Sequence, residues 1–420
     1  MTALGTHRGL RELVSVLELR DAPPRFVEYG FYFWLFYNIF SEIIGISISM
    51  LGFGIVAMLA VYCVARLGPR AVTVYKPLRL PLAFGASFLA IQVIVHDQPL
   101  MGGDLRAFVP WILTLVLVYS LSLRKGFQHR FAWAALAVGV CLLPYLDIRG
   151  EGSVERVGLE AGVGLGNPND LAAWFGFLAL YFAILGLNTQ RHFVRIVSYA
   201  IAIGTLFVVA LTVSRSPILA VGIALVIASR NLLKRGFIPL LILSFSIWGV
   251  YESRVFDKYI AEYVERGTEE TGRLVVWPLV INRIIDSPLI GVGLPKIETD
   301  VPGRVKPVTP HNNFLSIALA SGIVPLFFFI GYWWSAAQGS FSSSISGDQR
   351  AGSPFQLPLI VYAFLQAQVL DLSFMLPWLI VTLSEGLRTG AREEVLHSLV
   401  RRAGGAKRRK IRLSTTPGRP

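Results

Sequence analysis

Cysteine occurs twice in 420 residues, histidine six times, and only 15% of residues are charged. Each scarcity removes a class of protein. Soluble domains carry about 25% charged residues, so this chain is not one. Cys63 and Cys141 are expected near the inner end of the second apolar run and in the outer part of the fifth, which argues against a disulfide. The sequence has no His-Glu-x-x-His helix, no Cys/His cluster and no Asp-x-Asp pair. No metal and no cofactor are therefore expected. The N-terminus lacks the apolar stretch and small-residue cleavage site of a signal peptide. Neither a repeat of 20–50 residues nor an inverted repeat is visible.

What is present is apolar length. Hydrophobic residues make up 54% of the chain and the mean hydropathy is +0.59. Apolar runs of about 17–25 residues, the length that crosses a bilayer as a helix, recur throughout. About twelve spans are expected, near 29–45, 47–66, 79–96, 106–123, 127–147, 169–187, 193–212, 216–230, 236–251, 311–335, 355–370 and 372–388. The fold class is an all-α polytopic membrane protein with both termini cytoplasmic and one long outer loop. Its parts are a cytoplasmic lead-in over 1–28, nine spans over 29–251, an outer loop over 252–310, three spans over 311–388 and a basic tail over 389–420. The lead-in carries Leu10, Leu13, Val14 and Leu17 at helical spacing. It reads equally as an amphipathic surface helix or a solvated approach.

Charge sets the orientation. With the N-terminus inside, Arg66, Arg70, Lys76 and Arg79, then Arg124, Lys125 and Arg130, then Arg191 and Arg195, then Arg230, Lys234 and Arg235 all fall on the cytoplasmic side. This is the positive-inside pattern. Much of the +13 net charge sits in the tail around Lys407–Lys410, a cluster suited to anionic lipid headgroups. No aromatic-interleaved basic domain accompanies it, so nucleic acid is not an expected partner. Residues 252–310 hold eight Lys/Arg and nine Asp/Glu and are nearly neutral. A Gly-rich outer loop is expected over 148–168, and a flexible cytoplasmic linker over 341–354.

The same orientation sorts the histidines. His7, His129, His192 and His397 fall inside, and only His96 and His311 lie outside. His96 beside Asp97 reads as an interface residue. His311 stands at a helix start, where it is a base near neutral pH or a cap. Three outside-to-inside helices begin with Asn167-Pro168-Asn169-Asp170, with Ser214-Arg215-Ser216-Pro217 and with Pro310-His311-Asn312. Asn167 and Ser216 suit the cap position, and Pro168 and Pro217 the first helical one. Helix N-termini with free N–H groups attract anions. Together with Arg215 they suggest an outward-facing anion site, or they are only well-made caps. Arg273 adds a second cation ahead of a short amphipathic helix over 273–285, broken by Pro278, with Trp277 at headgroup level. Two guanidinium forks suit a diphosphate better than a carboxylate. Gly291-Val-Gly293 forms a tight turn beyond it.

Gly272-Arg273 with Trp277, Pro288 through Gly293, His311-Asn312 with Phe314-Leu315, Ser214-Arg215 and Asn167-Pro168-Asn169 together resemble the bacterial O-antigen ligase and O-antigen polymerase superfamily. The resemblance covers roughly residues 150–335. It implies a metal-independent, inverting membrane glycosyltransferase in the bacterial inner membrane, with its site on the periplasmic face. The donor would be a glycan on polyprenyl diphosphate, and the acceptor a lipid A core or a growing polysaccharide. Arg215 and Arg273 would hold the diphosphate, and His311 would orient or deprotonate the attacking hydroxyl. Asn167, Asn169, Ser214, Asn312 and Trp277 would line the site. Family members often carry an Arg about two turns before the Asn-Pro-Asn element. Here that position is near Glu160, and Arg156, one turn earlier, is the candidate replacement. Ligase, O-antigen polymerase and exopolysaccharide polymerase are not separated by these motifs. From another class, a transporter or flippase of lipid-linked sugars would need a mid-membrane polar path, for which Glu42, Gln92, Gln366 and Gln368 are a thin set.

Overall fold

The computed structural model describes residues 22–40, 49–99, 105, 108–124, 126–151, 154–159, 168–233, 273–300, 307–310, 312–345, 354–366, 380 and 382. The expected ninth span, the twelfth apart from residues 380 and 382, the lead-in before residue 22, the tail, Glu42 and Gln368 lie outside them. The longer helices are α1 (Arg25–Phe40), α2 (Ser49–Leu67), α3 (Arg79–Ala90), α4 (Phe108–Ser122), α5 (Phe127–Leu142), α6 (Pro168–Asn188), α7 (His192–Leu211), α8 (Arg215–Leu233), α9 (Arg273–Asp286), α10 (Asn313–Ser321), α11 (Ile323–Ile345) and α12 (Gln356–Gln366). Among the described residues, four stretches are long and apolar enough to cross a membrane: Leu51–Val74, Lys76–Val95, Pro168–Asn188 and His192–Leu211. Shorter apolar helices cover Phe108–Ser122, Ser216–Ser229, Ile323–Gln338 and Gln356–Gln366. The chain is a helical membrane protein.

α6 is the axis of the bundle. It is hydrophobic all round, and Leu171 through Phe182 are buried without interruption. A helix buried on every side needs neighbours on every side. α5, α7, α8 and α12 supply them, while Trp174 donates its indole N–H to the Ala135 carbonyl at 3.2 Å. A small separate core joins α9 to α10. Val276 and Val280, one helical turn apart, pack with Leu319, and Ile284, Leu315 and Val308 flank them.

Three expectations change here. Residues 146–159 are not a plain loop, because β1 (Leu146–Glu151) and β2 (Val154–Leu159) form an antiparallel hairpin. Gly152-Ser153 between two alternating runs is a hairpin signal that glycine content obscured. The expected span 311–335 is two helices, since α10 ends at Ser321 and α11 begins at Ile323. Gly322 has φ 78°, and Pro325 has no N–H to return to the Ser321 carbonyl. Finally, α9 runs through Pro278 without a break. Pro278 is exposed and near the helix start, so the cost is one hydrogen bond and no core contact is lost.

At one end of the bundle a charged joint fixes α1. Glu28 is buried and receives Arg130 through Nε at 2.5 Å and Nη2 at 3.1 Å, with the Tyr32 hydroxyl at 2.8 Å. Arg124 lies 3.7 Å away and also donates to the Pro23 carbonyl at 3.1 Å, while Arg66 donates to the Ala22 carbonyl. The same end holds His129, whose Nδ1 meets the Tyr181 hydroxyl at 2.5 Å. Tyr181 is thirteen residues beyond Pro168, which is roughly 20 Å along α6. Arg66, Arg124 and Arg130 therefore gather opposite the start of α6.

Candidate functional site

Several of the expected site residues stand at helix starts, and contacts link those starts in a continuous chain. Arg215 is the first residue of α8, and Arg273 is the first of α9. Their side chains, the side chain of Arg156, and the residues Asn167 and His311 lie outside the described residues. In β2 the register sets Arg156 opposite Arg149.

α6 begins at Pro168, as expected. One residue on, Asn169 accepts the Ser214 hydroxyl at 3.0 Å. Ser214 is buried and immediately precedes α8. Ser214 rather than Ser216 therefore holds the cap position. Ser216 sits inside the first turn and donates to the Leu365 carbonyl of α12 at 3.5 Å. Before them, Val213 is buried with φ 50°. A β-branched residue in the left-handed region is strained, and such strain persists where the surroundings impose it, often at functional turns. This turn delivers Arg215 to the start of α8, and nothing in the residue types announces it.

From α12 the chain of contacts passes to α10. The rings of Phe364 and Phe314 lie 5.5 Å apart. Asn312 caps α10, its Oδ1 accepting the N–H groups of Phe314 at 2.9 Å and Leu315 at 3.2 Å. The helix thus starts at Asn313, and His311 precedes the cap instead of opening the helix. Asn312 is occupied by this cap, which makes it a positioning group for the segment carrying His311. Next, Trp277 donates its indole N–H to the Pro310 carbonyl at 3.0 Å. The residue before His311 is thereby fastened to α9, one turn beyond Arg273. Arg283 fastens the same loop lower down, donating to the carbonyls of Glu298 and Lys296 and to the Thr299 hydroxyl at 2.6–2.9 Å. Thr299 and Val308 then close the loop as an antiparallel bridge.

The break between α10 and α11 is filled by the Pro288–Leu294 turn. Helix ends leave carbonyls without partners. Here Val292 N–H bonds Leu319 at 2.7 Å, Gly293 N–H bonds Ala320 at 3.1 Å, and Ile323 N–H bonds Pro288 at 2.9 Å. Gln92 completes the joint from a π-helical turn over Ile91–Val95. Its Nε2 donates to the Ala320 carbonyl at 2.8 Å and the Ser321 hydroxyl at 2.7 Å, and its Oε1 accepts Leu294 N–H at 2.9 Å. His96, one turn on, donates Nε2–H to the Ile290 carbonyl at 2.9 Å. His96 is thus a strut of the turn. Gln92, which the sequence offered only within a thin set for a transport path, is a structural anchor whose partners lie more than 200 residues away in the chain.

Among the described residues no group of three or more His, Cys, Asp or Glu side chains is placed to hold a metal. The arrangement offers helix N-termini, backbone positions for two arginines, and a braced segment that carries one histidine. Helix N-termini and guanidinium groups suit an anion, and a histidine can serve as a base.

Comparison with known proteins finds similarity over this part of the chain. Residues 169–330 match the family model described as O-antigen ligase. The match opens at Asn169, ends within α11, and takes in Ser214, Arg215, Arg273, Trp277, His311 and Asn312, while Arg156 and Asn167 fall before it. A Rickettsia conorii protein, provisionally named a polysaccharide ligase, is 25% identical over 257 residues, covering 54% of this chain. The chain spans 60% of that relative's length. Over residues 169–330, then, the chain is similar to the O-antigen ligase family.

Proposed function

We propose that the protein is a membrane glycosyltransferase that moves a glycan from a polyprenyl-diphosphate carrier onto a sugar hydroxyl during cell-surface polysaccharide synthesis. The observation that carries this reading is the linked set of helix starts. α6, α8, α9 and α10 present their N-terminal ends, or residues next to them, along one chain of contacts. Helix starts and arginines are what a diphosphate needs. Arg66, Arg124 and Arg130 gather at the other end, which supports an outward-facing site in the inner membrane.

In this mechanism Arg215 and Arg273 bind the diphosphate and stabilise its developing charge. Arg156 is the candidate third cation, and Asn167 and Asn169 border the anion at the start of α6. His311 accepts the proton of the acceptor hydroxyl. The hydroxyl oxygen bonds to the anomeric carbon from the face opposite the leaving group, so configuration inverts. The anomeric carbon–oxygen bond to phosphate breaks, and polyprenyl diphosphate departs with the electron pair. No metal takes part in this scheme. The acceptor is a lipid A core sugar or the end of a second lipid-linked glycan. A flippase reading loses support, because Gln92 has both ends of its amide committed inside a packed joint.

Reconstitution with a polyprenyl-diphosphate glycan tests the proposal. Arg273→Ala and His311→Ala should each lower turnover by at least about a hundredfold while the melting profile is kept. Normal turnover in either variant overturns the mechanism. Supplying lipid A core, or only a second donor, then separates ligase from polymerase.

A further inference from the structure

α9 is apolar on two opposite sides. Val276, Val280 and Ile284, four residues apart, pack toward Leu319 of α10. Val275, Pro278, Ile281 and Ile285 also follow helical spacing, and all four are exposed. Successive helical residues turn about 100°, so this second row lies roughly opposite the first. Leu289 and Ile290 carry it on into the turn after the helix. Val275, Ile281, Ile285, Leu289 and Ile290 are 40–68% exposed. Asn282 is the polar member of the stripe, and Asp286 stands at its edge. Arg283 is turned away from it, toward the carbonyls of Lys296 and Glu298. Trp277, which the sequence placed at headgroup level, is half-buried with its indole N–H on the Pro310 carbonyl. The stripe, and not Trp277, is the outward apolar face of α9.

An exposed apolar patch marks a contact with protein or with membrane. What adjoins this one decides between them. His96 bonds the Ile290 carbonyl at 2.9 Å. It stands directly after Lys76–Val95, a stretch long and apolar enough to cross a membrane. At that end of the stretch Ile94 is 80% exposed and Val95 47%. Apolar side chains exposed on a spanning helix face lipid. The stripe therefore continues a lipid-facing surface from the point where a span ends. A helix held to the protein on one side and apolar on the other suits the boundary between headgroups and acyl chains.

We propose that the stripe of α9 and its turn docks on the membrane, with Ile281, Ile285 and Leu289 among the acyl chains of the leaflet nearest the candidate site. Arg273, the first residue of α9, is then held near headgroup depth, the level of a lipid-linked diphosphate. That consequence rests on the glycosyltransferase reading above, whereas the leaflet contact does not.

Spin labelling of the full-length protein in phosphatidylcholine nanodiscs tests the contact. With Cys63 and Cys141 replaced by serine, single nitroxides are attached to Ile281→Cys, Ile285→Cys and Leu289→Cys. Glu298→Cys, in the exposed loop, is the aqueous reference. Oxygen concentrates among acyl chains, and a polar nickel chelate stays in water. The ratio of oxygen to nickel collisions should be severalfold higher at the three stripe positions than at Glu298. A ratio equal to that at Glu298 overturns the proposal, because the stripe then faces water. Protection of the three labels from both reagents overturns it too, since a second copy or another protein then covers the stripe. The readout involves no glycan donor. A failure here leaves the glycosyltransferase reading standing, and unchanged turnover in Arg273→Ala leaves the leaflet contact standing.

Discussion

At the scale of single residues, Gln92 shows how a polar side chain in an apolar helix is misread. Within a span it looks functional, because polar groups at membrane depth are expensive. The structure resolves that cost with three hydrogen bonds to the α10–α11 break and to Leu294. Gln92→Leu would leave the Ala320 carbonyl, the Ser321 hydroxyl and the Leu294 N–H short of partners in a buried site. A loss of about 2–4 kcal/mol is expected. A thermal melt of the purified protein measures it, and an unshifted melt would remove Gln92 from the joint. Asn312 shows a related case. The sequence set it among the residues that would line the site, whereas its side-chain oxygen caps α10, a common use of a short polar side chain before an apolar run.

Among elements, the turn and the helix break interlock through two glycines. A Cβ on Gly291 would stand 2.5 Å from the Leu319 carbonyl oxygen, and a Cβ on Gly322 would strike the Leu289 carbonyl. Both residues have positive φ, 68° and 78°, where alanine is strained. Gly291→Ala and Gly322→Ala should each destabilise by more than about 2 kcal/mol. They disrupt the same interface from opposite sides, so the double variant should lose less than the sum. Melting of the four proteins gives the cycle, and strict additivity would mean that the two glycines act separately. Half of this device was readable. Gly291 and Gly293 announce a turn, but hydropathy runs smoothly from Phe314 through Phe329 and hides Gly322. The hairpin at 146–159 was missed for a related reason, as glycine content outweighed a short alternation.

For the whole molecule, the two ends of the bundle differ in chemistry. One end carries Glu28 under Arg130 and Arg124, with Arg66 on the Ala22 carbonyl. The other carries the helix starts of the candidate site and the loop strapped by Arg283. Helix positions were largely legible because apolar length and basic loops report them directly. How those helices meet was not, since it depends on contacts between distant segments such as Trp277 with Pro310. Orientation in the membrane is expected from the charge asymmetry and can be measured. Gln190 lies exposed between α6 and α7, and Glu298 lies exposed in the strapped loop. With Cys63 and Cys141 replaced by serine, Glu298→Cys should react with an impermeant maleimide in intact spheroplasts. Gln190→Cys should react only after permeabilisation. The reverse pattern would turn the site toward the cytoplasm and exclude a donor presented in the outer leaflet. The expected pattern would place Arg215, Arg273 and His311 within reach of one.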